Sequence, residues 1–134
     1  MTSQGHPYAI FRRALERGNL AAAWAAAAEL RVLSLADALA FCLLVREREP
    51  ARFSRVALRW HARFCAETEG VGLEDARLVL DLLAAIGGRE PGRAARALRE
   101  LLAGYDQALA EPLRRWEASA PKTPSAANPK GRRT

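Results

Sequence analysis

The sequence predicts an all-α protein of about six helices, arranged as three stacked antiparallel helical hairpins. Three observations carry this expectation. Alanine, the strongest helix former, supplies a large part of the 50% of residues that are apolar, while Val and Ile are few. Gly, Pro and small polar residues fall where helices should begin and end. A pair of helix starts also recurs in the same order about 40 residues on. SLADA at 34–38 returns as GLEDA at 72–76, and REPARFSR at 48–55 returns as REPGRAAR at 89–96.

The elements follow in order. A first helix is expected at about 7–17, stopped by Gly18, and Asn19 is placed to cap a second at about 20–31. Ser34 with Asp37 three residues on reads as a capping box for a third, about 35–48. Pro50 suits the first turn of a fourth, about 50–67, because its missing N–H has no helical partner to lose there. Glu69, Gly70, Val71 and Gly72 form a loop, Leu73 to Ile86 a fifth helix, and Gly87 and Gly88 its end. Pro91 opens a sixth to about Ala110, and Pro112 starts or kinks a short last segment through Trp116. The repeated unit is thus a hairpin, and the repeated octet is its turn plus the first turn of its second helix.

The helix faces fit stacking. In the first helix Tyr8, Ile10, Phe11, Ala14 and Leu15 oppose Arg12, Arg13, Glu16 and Arg17. The third is uncharged from Ala38 to Val45, all the way round. The fourth reads as buried on two sides, with Phe53, Val56, Trp60 and Phe64 on one and Leu58, Ala62 and Cys65 on the other. The sixth is one-sided. Polar-backed helices at the ends and two-sided helices between them suit a short α-solenoid-like array, with a compact helical bundle as the alternative.

The stretch ERGNLAAAWAAAAEL resembles the boundary of a tetratricopeptide hairpin, where a Gly precedes a second helix with small residues at four-residue steps, here Ala23 and Ala27. The 40-residue spacing resembles HEAT-type hairpins. Both resemblances imply a binding scaffold and name no partner.

Charge divides the chain. Its 134 residues suit one domain, 1–117, followed by a basic, Pro-containing tail, 118–134, whose composition predicts disorder. Of the net +6, the tail holds +4 as Lys122, Lys130, Arg132 and Arg133; the body, with 17 Arg against 15 acids, carries only +2. A nearly neutral body argues against strong polyanion binding, which needs many phosphates neutralised together. Two cysteines, Cys42 and Cys65, make no disulfide framework and suit a reduced, cytoplasmic protein. No stretch reaches the roughly 18 apolar residues of a membrane span.

Sites of chemistry are not apparent. His61 and Cys65 stand four apart on one helix, a metal-ligand spacing with no third ligand, so neither metal nor cofactor is expected. The paired acids lie at helix ends or in loops, and no nucleophile has a base beside it. One surface feature remains. Arg52, Arg55, Arg59 and Arg63 share one stripe of the fourth helix, and the repeat places Arg93 and Arg96 equivalently on the sixth. Such a ridge suits an acidic protein surface or segment. The expectation is a non-enzymatic protein-interaction module. The alternative is a nucleic-acid-associated protein using the arginine ridge and the basic tail.

Overall fold

The computed structural model describes residues 5–119, which form seven α-helices and one 3-10 turn. These are α1 Gly5–Arg17, α2 Leu20–Ala28, α3 Leu35–Arg48, the 3-10 turn Pro50–Arg52 leading into α4 Phe53–Glu67, α5 Leu73–Ile86, α6 Pro91–Ala103 and α7 Gln107–Ser119. The tail expected at 118–134, with Lys122, Lys130, Arg132 and Arg133, lies outside the described residues, apart from Ala118 and Ser119, which end α7.

Capping side chains set the helix starts. Asn19 Oδ1 accepts from the Ala22 N–H at 3.0 Å, and Ser34 Oγ from the Asp37 N–H at 3.0 Å. Asp37 does not complete the capping box. Its carboxylate instead accepts from the Tyr8 hydroxyl and from Arg12 Nη1, each at 2.9 Å, and so ties α1 to the start of α3. Gly18 turns the chain with φ +69°, a conformation that favours glycine.

The repeated octet folds the same way twice. Glu49 (φ −140°, ψ 69°) and Glu90 (φ −121°, ψ 66°) precede Pro50 and Pro91. Each carboxylate reaches the arginine three residues on, Glu49 to Arg52 and Glu90 to Arg93, both at 3.3 Å. The octet is therefore a helix-start motif with its own exposed ion pair, of the kind that contributes little to stability. The matched acids behave alike as well: Asp75, the counterpart of Asp37, also accepts from a tyrosine hydroxyl, that of Tyr105.

Several boundaries differ from expectation: the first helix begins at Gly5 rather than about 7, Pro50 opens a 3-10 turn so that α4 itself begins at Phe53, and two helices end early. The second helix ends at Ala28 rather than near 31, because Glu29 and Leu30 turn back onto the carbonyls of Ala26 and Ala27. Leu30 and Leu33 are thereby released to cover the small core formed by Phe11, Ala14, Ala23 and Ala26. The sixth helix stops at Ala103, not Ala110. Asp106 then caps a separate helix, its Oδ1 accepting from the Ala108 N–H at 3.0 Å, and Pro112 lies inside that helix instead of opening it.

The extra helix changes the architecture. α3, α4, α5, α6 and α7 each pack against the next, and α7 returns to pack against α3. Five helices joined by tight turns alternate in direction, so the first and last of the ring run parallel where they meet. The larger core fills this ring, with Leu39 and Leu43 of α3, Phe53, Trp60 and Phe64 of α4, Val79, Leu83 and Ile86 of α5, Leu98 and Leu102 of α6, and Leu109 and Leu113 of α7. The α1–α2 hairpin packs on the outside of α3 through the smaller core. This explains why α3 is apolar all round: α1, α2, α4 and α7 all pack against it.

Polar contacts hold the ring between remote positions. Trp116 Nε1 donates to Glu47 at 3.1 Å across the α3–α7 seam, and Arg99 pairs with Glu117 at 2.7 Å across α6 and α7. Arg46 Nε donates to the Ile86 carbonyl at 2.9 Å, giving the C-terminus of α5 a cation and a donor from α3.

On α4 only one side is buried. Phe53, Ala57, Trp60 and Phe64 face the core, whereas Leu58 and Ala62, expected to form a second buried side, are exposed, and Cys65 is half-buried. Among the described residues α4 packs only against α3, the 3-10 turn and α5.

Candidate functional site

A large concave surface among the described residues lies over α3, between α1 and α7. Both helices pack on α3 but do not pack on each other, which leaves an open cleft of about 1130 Å³. Ala36, Ala40, Leu43 and Leu44 form its floor, Leu15 its α1 wall, and Ala108, Pro112 and Trp116 its α7 wall.

The two ends of the cleft differ. Tyr8, Arg12 and Asp37 are bonded together at the end where α1 and α3 begin. Hydrogen bonding to Asp37 and partial burial both raise the Tyr8 pKa, burial more. At the other end lie Arg17, Gly18, Glu47 and Arg48. A Cβ on Gly18 would meet Arg48 Nη2 at 2.7 Å, a contact the flexible arginine can relieve, so it is the positive φ that favours glycine here. Arg17 and Arg48 occupy the last turns of α1 and α3, and neither has an ionic partner among the described residues.

The arginines singled out in the sequence are placed as follows. Arg52, Arg55 and Arg59 are exposed and Arg63 half-buried on α4; Arg93 and Arg96 are exposed on α6. α5 packs against both α4 and α6, and α4 does not pack on α6, so the two groups are not brought together. Three of the six already have a carboxylate: Arg52 has Glu49, Arg93 has Glu90, and Arg63 forks onto Glu67 at 2.8 and 3.0 Å, which lowers the Glu67 pKa. Arg52 also lies 4.8 Å over the Trp24 ring. Arg55, Arg59 and Arg96 have no ionic partner among the described residues.

His61 Nε2 donates to the Ala76 carbonyl at 2.7 Å and so ties α4 to α5. Cys65 Sγ lies 3.7 Å from the same nitrogen, and no cluster of three or more potential metal ligands occurs among the described residues. Cys42 is buried against the Val56 carbonyl at 3.6 Å, and burial pushes its thiol pKa up to about 12. Both cysteines are free thiols.

No short motif encodes the cleft, because its floor and walls come from helices far apart in sequence. The one legible trace is the uncharged girth of α3, more apolar surface than two hairpin neighbours could cover. No described helix is long and apolar enough to cross a membrane. The fold and cleft define a small closed helical bundle carrying one open concave face. No protein-family model matches the chain, and no curated protein or solved structure matches it.

Proposed function

We propose that the protein is a non-enzymatic interaction module that receives a helix of a protein partner in the cleft between α1 and α7. The observation that supports this most is the gap itself: α3 presents an apolar face flanked by two helices that do not meet. Packed helices stand about 8–10 Å apart, and an amphipathic helix laid in a groove is a recurrent recognition mode. The cleft also suggests a direction. α1, α3 and α7 run parallel there, so their carbonyl ends gather at Arg17 and Arg48. A visiting helix that runs antiparallel sets its N-terminal turn at that end, where acidic residues suit both its own dipole and the two arginines. The occupant is therefore a helix with a leucine-like apolar face and an acidic first turn.

The nucleic-acid reading draws on Arg55, Arg59 and Arg96, with Lys122, Lys130, Arg132 and Arg133 of the tail. It is disfavoured because Arg52, Arg63 and Arg93 are already paired with carboxylates and the body is nearly neutral.

Ala40→Trp tests the cleft, because a half-buried floor position then carries a ring that fills it. The variant is expected to keep its helicity and to bind the native partner at least about tenfold more weakly, roughly 1.4 kcal/mol. Arg96→Glu, away from the cleft, is expected to bind as the native protein does. Partner capture undiminished by Ala40→Trp and lost with Arg96→Glu would move the interface to the arginines.

A further inference from the structure

The outer face of α4 and α5 is apolar and uncovered. Leu58 is 57% exposed, Leu73 85% and Leu80 38%, with Ala62 and Ala84 exposed beside them. Leu58, Leu80 and Ala84 border one hollow, and exposed apolar side chains grouped in this way suit an interaction surface. Two contacts set the register of the hairpin: the Phe53 ring lies against Gly87, and His61 bonds Ala76. Leu58 consequently stands opposite Leu80, and both line a hollow of about 420 Å³ floored by Phe53, Ala57 and Leu83.

Three charges beside this strip lie on opposite edges. At about 100° per residue, Arg55 and Arg59 fall on the edge of α4 away from α5, and Asp81 falls on the edge of α5 away from α4. The register puts Asp81 level with Ala57, midway between Arg55 and Arg59. None of the three has an ionic partner within the chain among the described residues. Asp81 on one edge and Arg55 and Arg59 on the other are complementary across a twofold, with Arg77 also present on the Asp81 edge.

We propose that this face joins two copies of the chain in a twofold-symmetric dimer. A twofold axis parallel to the helices sets α4 of each copy against α5 of the other. Leu58 and Leu80 then meet their own counterparts in the middle, and Asp81 reaches between Arg55 and Arg59 at both edges, as an isologous interface requires. The perpendicular twofold in the same plane opposes α4 with α4, arginine on arginine, which like-charge repulsion disfavours. Arg77, also on the outer edge of α5, is level with His61, about half a turn beyond Arg59, and faces Ala62, so its like charge offsets part of the pairing made by Asp81. The dimer leaves both α1–α7 clefts uncovered, because neither α4 nor α5 lines them.

Charge reversal tests the arrangement with residues that are all exposed and so leave the fold intact. In sedimentation equilibrium at micromolar concentration the native protein is expected at twice 14.7 kDa. Arg55→Asp with Arg59→Asp, and separately Asp81→Arg, should each run as monomers, since both edges of each homodimer become repulsive. Mixing the two variants in equal amounts should restore the dimer mass, because each edge then pairs opposite charges. A native protein that stays monomeric, variants that remain dimeric, or a mixture that stays monomeric would each overturn the proposal. Ala40→Trp, in the cleft, should dimerise normally, so loss of partner binding and loss of the dimer remain separable.

Discussion

Trp60→Ala is expected to lower stability by about 3–5 kcal/mol, the range for emptying a large aromatic site in a packed interior. Trp60 is 2% exposed and stacks on Phe64 with ring centroids 5.4 Å apart and planes 9° apart. Its indole Nε1 donates to the Leu35 carbonyl at 2.8 Å, so the substitution also removes a bond between α4 and the start of α3. Phe64 in turn meets the Tyr105 ring edge-on at 5.7 Å, and the cavity opens where α4 and the α6–α7 turn converge. Small domains have only about 5–15 kcal/mol of total stability, so the fall in Tm should be on the order of 10 °C or more. Trp60→Phe keeps most of the ring contact and should fall between the two. Denaturant melts monitored by helical circular dichroism check both variants.

The second large effect is expected at Leu113→Ala, about 2–5 kcal/mol. Leu113 is fully buried within the five-helix ring although it follows Pro112 and lies only six residues from the end of α7. Val32→Ala, away from the α4–α5 face, is the control. Val32 is 71% exposed, and its truncation should change stability by less than about 0.5 kcal/mol. Equal effects at the two positions would mean that α7 is not part of the core.

Helix starts were the most legible feature of the chain, because each rests on one residue with one physical reason. Asn19 and Ser34 supply capping oxygens, Pro50 and Pro91 fit first turns, and Leu73–Ile86 has the bounds expected of it. The break at 104–106 was missed because an isolated Gly inside a helical pattern is tolerated, and Pro112 looked like the stronger signal. Asp106, whose carboxylate caps α7, outweighed it. Missing α7 hid the ring, and with the ring the cleft, since α7 forms one wall. The arginine stripe on α4 was legible as an angle around one helix. Its separation from Arg93 and Arg96 was not, because only tertiary packing decides that α5 stands beside both α4 and α6. The second side of α4, expected to be buried from its apolar pattern, has Leu58 and Ala62 exposed, because the pattern of one helix does not place a neighbour over it.

Neither the cleft nor its parallel helices exist unless α7 closes the ring onto α3. Native-state amide hydrogen exchange tests this directly. A free 13-residue helix is marginal in water, so lasting protection of the α7 amides requires that the helix be docked. Amides from Leu113 to Glu117, except the frayed end, are expected to exchange as slowly as those of α3 and α6. Exchange of α7 as fast as an unstructured peptide, with α3–α6 still protected, would contradict the closed ring.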